Sequence, residues 1–446
     1  MRRRLRILLI GNTGRVDCLA EAFANSSHDN DVYAFAEVRN PGLVEKCVRV
    51  EAGAIDDVSL VEAYASEIHP DFLFIGPEQP LASGVVDAMQ RRGVPSVAPT
   101  KMAARIETSK SFCRRLLDRH ASQYNPRYRH FLRADGLEEY ASRLGEFVIK
   151  PDGLTGGKGV KVYGVDFASL ADGLEYCIEV LSNDPNGVLI EERLDGEEFS
   201  LQSFCDGAHI AHSPPVQDHK RAFEGDSGPN TGGVGSYSCS DHSLPFLTPN
   251  LVREAAAVNE LVYRAIAEEL GETYRGILYG NFITTANRLK VIEYNARFGD
   301  PEMLNILPIM KTDFIDVCRA IMDGTLDQVN IEFERKSTVC KWIVPQGYPQ
   351  NSIRGGDVDP ASVTRSTATL KTYFGAVELE AGKYRLKGSR AIAFLGIGDT
   401  LAEAEKVAEA AAARVKGPVY HRRDIGTEPL VRRCVQHMQA LTTPSQ

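Results

Sequence analysis

The chain begins with a basic tip followed by the mostly apolar run Leu5-Arg6-Ile7-Leu8-Leu9-Ile10, which stops at Gly11-Asn12-Thr13-Gly14. A short apolar run closed by glycine reads as a buried strand. It is too short for the apolar core of a signal peptide, and glycines stand where a cleavage site would lie. Helical periodicity starts near 18–24, strand-like runs recur at 31–36 and 72–75, a helix is expected over 81–92, and a last short strand over 94–98. Strands alternating with helices predict right-handed crossovers and an open parallel α/β sheet. Ligands of such sheets sit at the carboxyl ends of the strands. The loops 11–15 and 76–78 are therefore the ones to watch.

From about residue 108 the texture changes. A helix over 109–118 leads into short strands at 146–150, 161–164 and 188–191. A polar, glycine-dense block follows over 217–238, then a helix near 251–270 and a hairpin over 277–294. A third region holds apolar runs at 340–344 and 391–396 and a long helix beginning near Thr400, and residues 441–446 read as a frayed tail. A length of 446 residues fits about three domains. The expected division is 1–107, 108–327 with a lid lobe over about 125–195, and 328–440.

Composition narrows the function. With 43% hydrophobic and 25% charged residues the chain matches an ordinary soluble protein. A net charge of −9 argues against a nucleic-acid groove, which needs a basic excess, but leaves room for a local basic pocket. No apolar stretch approaches the ~20 residues of a membrane span. The nine cysteines are scattered without a Cys-x-x-Cys pair, which predicts neither a disulfide framework nor structural zinc, and a reducing cytoplasmic setting.

Four segments carry candidate chemistry. Lys150-Pro151-Asp152-Gly153-Leu154-Thr155-Gly156-Gly157-Lys158-Gly159 lies between two strands. Glycines let backbone N–H groups turn toward an oxyanion, and lysines add positive charge. It is not a Walker loop, since the order GxxxxGK[ST] is absent and a strand follows. Taken alone it also fits a flexible hairpin. The second segment, Glu191-Glu192-Arg193-Leu194-Asp195-Gly196-Glu197-Glu198, is either a solvated turn or a hinge against a nucleoside. In Glu293-Tyr294-Asn295-Ala296-Arg297, residues two apart on a strand share a face. Glu293 and Asn295 then offer two oxygen ligands suited to Mg²⁺, with Arg297 on the same face for a phosphoryl group. The fourth, Gln217-Asp218-His219-Lys220-Arg221 with Asn230-Thr231-Gly232-Gly233, buries little apolar area and reads as a ligand-lining loop. His219 there reads as a positioning or structural group more readily than as a general base.

In this order, with the motif Glu-Tyr-Asn-Ala-Arg-Phe-Gly-Asp-Pro-Glu at 293–302, the segments resemble the phosphoribosylamine–glycine ligases, a family of the ATP-grasp superfamily. The similarity spans nearly the whole chain, and the Arg39-Asn40-Pro41-Gly42 loop is similar to the archaeal branch. The resemblance implies an α/β ATP-grasp architecture: an open parallel N-terminal domain, a two-lobed ATP clamp and a small C-terminal α/β module. It implies ATP as co-substrate with Mg²⁺ or Mn²⁺, glycine and 5-phosphoribosylamine as substrates, and no nucleic-acid or membrane partner. It implies that Lys110, Lys150, Gly153, Gly156, Gly157, Lys158, Gly159, Glu191, Glu192, Leu194 and Glu198 hold ATP. Glu293, Asn295 and Asn281 would hold the metal, and Arg297, Lys220 and Asp218 would act in catalysis. Gly11, Gly14, Arg15, Pro77, Glu78, Asn230, Gly232, Gly233 and Asp300 would meet the substrates. One departure stands out: the family's Gly-x-Gly-Gly/Ala-Arg-Glu-His reads Gly11-Asn12-Thr13-Gly14-Arg15-Val16-Asp17 here. The alternatives are a related ligase with another amine acceptor, a non-catalytic nucleotide-binding relative, and a dinucleotide oxidoreductase. The last lacks Gly-x-Gly-x-x-Gly, because the loop reads Gly11-Asn12-Thr13-Gly14-Arg15-Val16.

Overall fold

The computed structural model describes residues 4–156, 159–286 and 288–443, so Gly157 and Lys158 lie outside the described residues. Five strands, β1 (Leu5–Ile10), β2 (Asn30–Ala36), β3 (Arg49–Ala52), β4 (Phe72–Ile75) and β5 (Ser96–Val97), form the first sheet in the order β3-β2-β1-β4-β5. All of its pairings are parallel. Ile7 to Ile10 are fully buried, because a parallel strand covered on both faces has no solvent side. The chain reverses direction of winding at β1, which puts the loops after β1 and β4 beside one another.

The helix expected over 81–92 is broken. Gly84 adopts φ +94°, so one short helix, Gln79–Ser83, ends there and a second, Val85–Arg91, begins. The patterning also passed over two helices that are well capped. Pro41–Lys46 starts with Asn40 accepting from the Leu43 amide at 2.9 Å, and Val58–Ile68 starts with Asp57 accepting from the Ser59 and Leu60 amides. At the far end, helix Glu428–Thr442 absorbs residues 441–442 of the expected tail.

A second sheet is antiparallel: β6 (Tyr128–Phe131), β7 (Phe147–Pro151), β8 (Lys161–Val162) and β9 (Val188–Glu192), in the order β6-β9-β7-β8. Helix Leu170–Asn183, started by a Ser169/Asp172 capping box, packs on it. Phe131, Phe147, Ile149, Cys177, Val188 and Ile190 close a core that belongs to this lobe alone. The chain then enters a third sheet through β10 (Gly196–Asp206) and β11 (Ile210–His212). After β12 (Gln217–Asp218), β13 (Arg221–Phe223), β14 (Ser227–Asn230) and β15 (Gly235–Ser238) it returns through β16 (Arg275–Thr285) and β17 (Leu289–Asn295). The third sheet runs β11-β10-β16-β17.

The last third builds a sheet around β18 (Ser337–Pro345), which pairs with β15, with Ile392–Gly398 and with Val419–Tyr420. It is docked onto the start of the chain. A Cβ on Gly14 would stand 2.5 Å from the Trp342 ring, so only glycine fits there. Asp17, fully buried, accepts from the Phe374 amide at 2.7 Å and from Lys46 Nζ at 2.6 Å. Among the described residues no helix is long and apolar enough to cross a membrane.

Candidate active site

The β6–β9 sheet, the β10–β17 sheet and the carboxyl ends of β1 and β4 face a common cleft of about 710 Å³. Lys150 on β7 and Glu191 on β9 project into it from neighbouring antiparallel strands. Helix Lys110–His120, capped by Ser109, brings Arg114 to the same point. Arg114 holds Glu191 through two 2.7 Å contacts, Nε to Oε1 and Nη2 to Oε2, and Lys150 Nζ adds a third at 2.8 Å. Arg114 also donates to the carbonyls of Val291 (3.1 Å) and Ile292 (2.6 Å). Burial alone would push the Glu191 carboxyl up, but the two cations more than offset it and hold it at about 2.

This geometry changes the reading of several residues. Glu191, expected to frame a base, has its carboxylate fully engaged by Arg114 and Lys150. Glu192 turns its carboxylate to Arg127, 2.7 Å from Nε. Leu194 lies in the wall without a competing role. Lys110 Nζ donates to the Gly153 carbonyl at 2.8 Å, and Gly156 reaches the cleft while Gly153 and Gly159 flank it. Burial lowers the Lys110 pKa, with Glu293 pulling it back and Lys150 lowering it further.

Deeper in the cleft, a bulge shifts the β16–β17 register after Asn281, which stands opposite Glu293. Glu293 and Asn295 both face the cleft, and among the described residues neither side chain makes a hydrogen bond. Asn281 is buried, with Nδ2 3.5 Å from Glu198 Oε2. Glu198 in turn meets Lys220 Nζ at 2.8 Å. Burial would lower the Lys220 pKa, but Glu198, Glu293 and Asp218 raise it above its ordinary value. Uncommitted carboxylate and amide oxygens between two partly buried ammonium groups make a donor set that suits a hard divalent cation carrying phosphate oxygens.

The third part of the cleft lies under the N-terminal loops. β17 ends at Asn295, so strand alternation does not extend to Arg297 as expected. Arg297 enters from the following turn and pairs with Glu107 at 2.8 Å and Glu78 at 3.3 Å. Burial pushes Glu107 up to about 7, with Arg297 opposing and Glu78 adding to it. Arg15 is buried beside Arg297 and donates to the Phe298 carbonyl; burial and that second guanidinium lower its pKa to about 10. Asp300 accepts weakly from the Arg15 amide at 3.4 Å. Pro77, Glu78, Asn230 and Gly232 line the same end. Gly11 and Gly14 do not; they serve close packing, against Pro77 and Trp342. Gly233 is needed for its φ of +94° and because a Cβ would meet Asp218 Oδ1 at 2.5 Å. Among the described residues that Asp218 oxygen has no hydrogen-bond partner, and burial beside Glu302 raises the carboxyl well above its ordinary value. His219 supports the structural reading: Nδ1 lies 3.1 Å from Asp226 and the ring stacks on Tyr237.

Four residues that patterning did not single out complete the site. Arg114 and Glu107 hold Glu191 and Arg297. Glu302 accepts from the Tyr279 hydroxyl at 2.6 Å. Arg390 arrives from the last third of the chain, donates to the Gly232 and Gly233 carbonyls at 2.7 and 2.9 Å, and covers the Trp342 ring at 5.1 Å. Two of them leave a trace: Arg114 one helical turn after Lys110, and Glu302 as the last residue of the motif at 293–302.

The pinned Glu191 carboxyl gives a pH signature. Its folded value of about 2 lies below its ordinary value, so it adds stability that is complete above pH ~4.3 and lost as pH falls through about 2. Urea titrations of Glu191→Gln should show a deficit of about 3–5 kcal/mol at neutral pH that shrinks between pH ~4.3 and ~2. A deficit that does not change over that window counts against the ion-pair account.

Known proteins share the sequence and the fold over nearly the whole chain. The phosphoribosylglycinamide synthetase N domain matches residues 5–107, its ATP-grasp (A) domain 108–303 and its C domain 338–428. The chain is 44% identical to the phosphoribosylamine–glycine ligase of Methanobrevibacter smithii, over 98% of this chain and 100% of that one. It is 42% identical to the enzyme of that name from Methanocaldococcus jannaschii, with the same coverage. The crystal structure of phosphoribosylamine–glycine ligase from Thermotoga maritima superposes with a TM-score of 0.77 at 25% identity, covering 94% of this chain and all of that one. Biotin carboxylase from Campylobacter jejuni, solved as a β,γ-ATP complex, shares the fold at 12% identity with a TM-score of 0.72, covering 99% and 96%. The chain is a member of the phosphoribosylamine–glycine ligase family.

Proposed function

We propose that this chain joins glycine to 5-phosphoribosylamine at the expense of ATP, in the cytoplasm, as a step of purine synthesis. Residues 108–327 form the ATP clamp, with 125–195 as its lid, between an N-terminal domain over 1–107 and a C-terminal domain over 328–440. Lys110, Lys150 and the loop 153–159 hold the phosphates, Leu194 packs on the base, and Glu198 takes a ribose hydroxyl in exchange with Lys220. Glu293, Asn295 and Asn281 would hold Mg²⁺ or Mn²⁺, which supplies charge neutralisation on the transferring phosphoryl group. Lys220 and Arg297 steady the same charge, and the glycine carboxylate becomes an acyl phosphate. Asp218, whose carboxyl is raised by burial beside Glu302, lies where the glycine end of the acceptor reaction would pass. Pro77, Glu78, Arg15, Asn230, Gly232 and Asp300 gather round the amine, which attacks the acyl carbon and releases phosphate.

The observation that supports the acceptor assignment is the position of two of the three altered residues. Val16 and Asp17 are fully buried behind the first loop, Val16 against Gly11 and Gly76 and Asp17 against Lys46 and Phe374. Neither lines the cleft, so their exchange leaves the acceptor side of the loop to Asn12, Arg15 and the third altered residue, Thr13, which does line it. The test is ADP release with ATP and glycine, with and without phosphoribosylamine generated in situ. Release and amide formation should both depend on the amine. Turnover with glycine that ignores this amine, and responds to another, overturns the acceptor and favours a ligase of different specificity.

A further inference from the structure

Arg221 closes the Gln-Asp-His-Lys-Arg run, yet nothing in the chemistry above uses it. It does not point at the phosphate-handling groups; its Nη1 meets Asp166 Oδ1 at 3.1 Å, and both side chains are largely buried. Asp166 belongs to a different lobe. It sits in the tight turn after β8, where its other oxygen accepts from the Val162 amide at 2.9 Å. Val162 and Val165 of that turn line the cleft. The lobe that carries the turn has its own closed core, so it can move as a unit against the rest of the molecule.

The other end of the contact is firmly fixed. Arg221 Nη1 also donates to the Gly228 carbonyl at 3.0 Å, within its own hairpin. Its backbone carbonyl accepts from Arg422 Nη1 at 3.0 Å. Arg422 is itself buried and pinned by Asp226 at 2.7 Å and by Asp424 at 2.7 Å. A rigid anchor in the C-terminal region thus presents one guanidinium to the turn that overhangs the cleft.

We propose that Arg221 and Asp166 are positioning residues that latch the 125–195 lobe shut over the bound nucleotide. The inference rests on the clamp reading of that lobe. The pair joins two lobes and belongs to the apolar core of neither. Its effect is local: with the turn held down, water is kept from the acyl phosphate, whose hydrolysis returns glycine and inorganic phosphate and wastes one ATP.

The test measures ADP and amide product together, in full-length enzyme with ATP, glycine and phosphoribosylamine. Wild type giving one ADP per product establishes the coupled ligase reaction, and slower exchange over residues 159–168 when the analogue binds establishes the clamp, each independently of the latch. Asp166→Asn removes the charge while keeping an acceptor for the Val162 amide, and Arg221→Gln removes the other partner. Each should raise the ATP KM about tenfold and the ADP-to-product ratio at least about twofold, with kcat within about threefold. The double variant should go no further than the singles, and Arg221→Lys should restore most of the coupling. Amide exchange over residues 159–168 with a non-hydrolysable ATP analogue reads the latch without turnover, and should quicken about tenfold in both single variants. A ratio still at one in the double variant, additive KM effects, or unchanged exchange overturns the latch.

Discussion

Replacing Glu293 by alanine should lower kcat by at least about 10³-fold while leaving the fold intact. The side chain stands at the end of β17, faces the cleft and makes no hydrogen bond to any described residue, so its removal costs the protein no internal contact. What is lost is negative charge between Lys110 and Lys220, both partly buried and both electrostatically coupled to Glu293. Without it, a divalent cation has Asn295 and Asn281 but no carboxylate, and two ammonium groups nearby oppose its entry. Glu293→Gln separates the two contributions: it keeps shape and hydrogen-bonding capacity and loses only charge. The metal concentration giving half-maximal rate should rise by about tenfold or more in that variant. The measurements are initial rates across a metal titration, with circular dichroism to check the fold. Activity in Glu293→Ala within tenfold of wild type removes Glu293 from the metal site.

The second large effect is on stability. Arg114→Met should destabilise the protein by about 3–5 kcal/mol, because it leaves the Glu191 carboxylate buried with only Lys150 for company. Arg114 is 2% exposed and Glu191 2%, so water cannot stand in for the missing donors. The Val291 and Ile292 carbonyls lose donors as well, at roughly 1 kcal/mol each. Adding Glu191→Leu should recover part of the loss, since no carboxylate is then stranded; Lys150 retains only its 3.3 Å contact to the Ile292 carbonyl. Equilibrium urea unfolding of the single and double variants measures both. A loss below about 1 kcal/mol for Arg114→Met contradicts the picture of a buried, mutually dependent triad.

These two residues mark the boundary of what patterning could reach. Glu293 and Asn295 were legible because a strand's alternation is a local property, and both sit on one strand. For Arg297 alternation is no guide, since the strand stops two residues earlier and the guanidinium reaches the cleft from the following turn, held by Glu78 and Glu107. Arg114 lies 77 residues from Glu191 in the chain, and Arg390 lies 158 from Gly232; no periodicity encodes such pairings. Among elements, the apolar strands β1, β2 and β4 were plain, and the hairpin β16–β17 was found within a few residues. The helices Pro41–Lys46, Val58–Ile68 and Leu170–Asn183 were passed over although each has a capping residue in the sequence. Their hydrophobic faces are short or diluted by charge, so the start signals were the better guide there. The single helix expected over 81–92 was a misreading of Gly84, whose left-handed backbone both ends one helix and starts the next.

The seating of the first helix on the last third of the chain has a consequence for biosynthesis. Gly14 rests on Trp342, and Asp17 is satisfied only when the Phe374 amide arrives. The ribosome delivers the first sheet long before either partner exists, with a delay on the order of tens of seconds at ordinary elongation rates. During that interval the nascent domain carries a buried-type carboxylate with Lys46 as its sole neighbour and an uncovered glycine ledge. The loop after β1 therefore gains these two supports only near the end of translation. A chain cut short before residue 374 would carry the phosphate-handling groups, yet leave that loop unsupported.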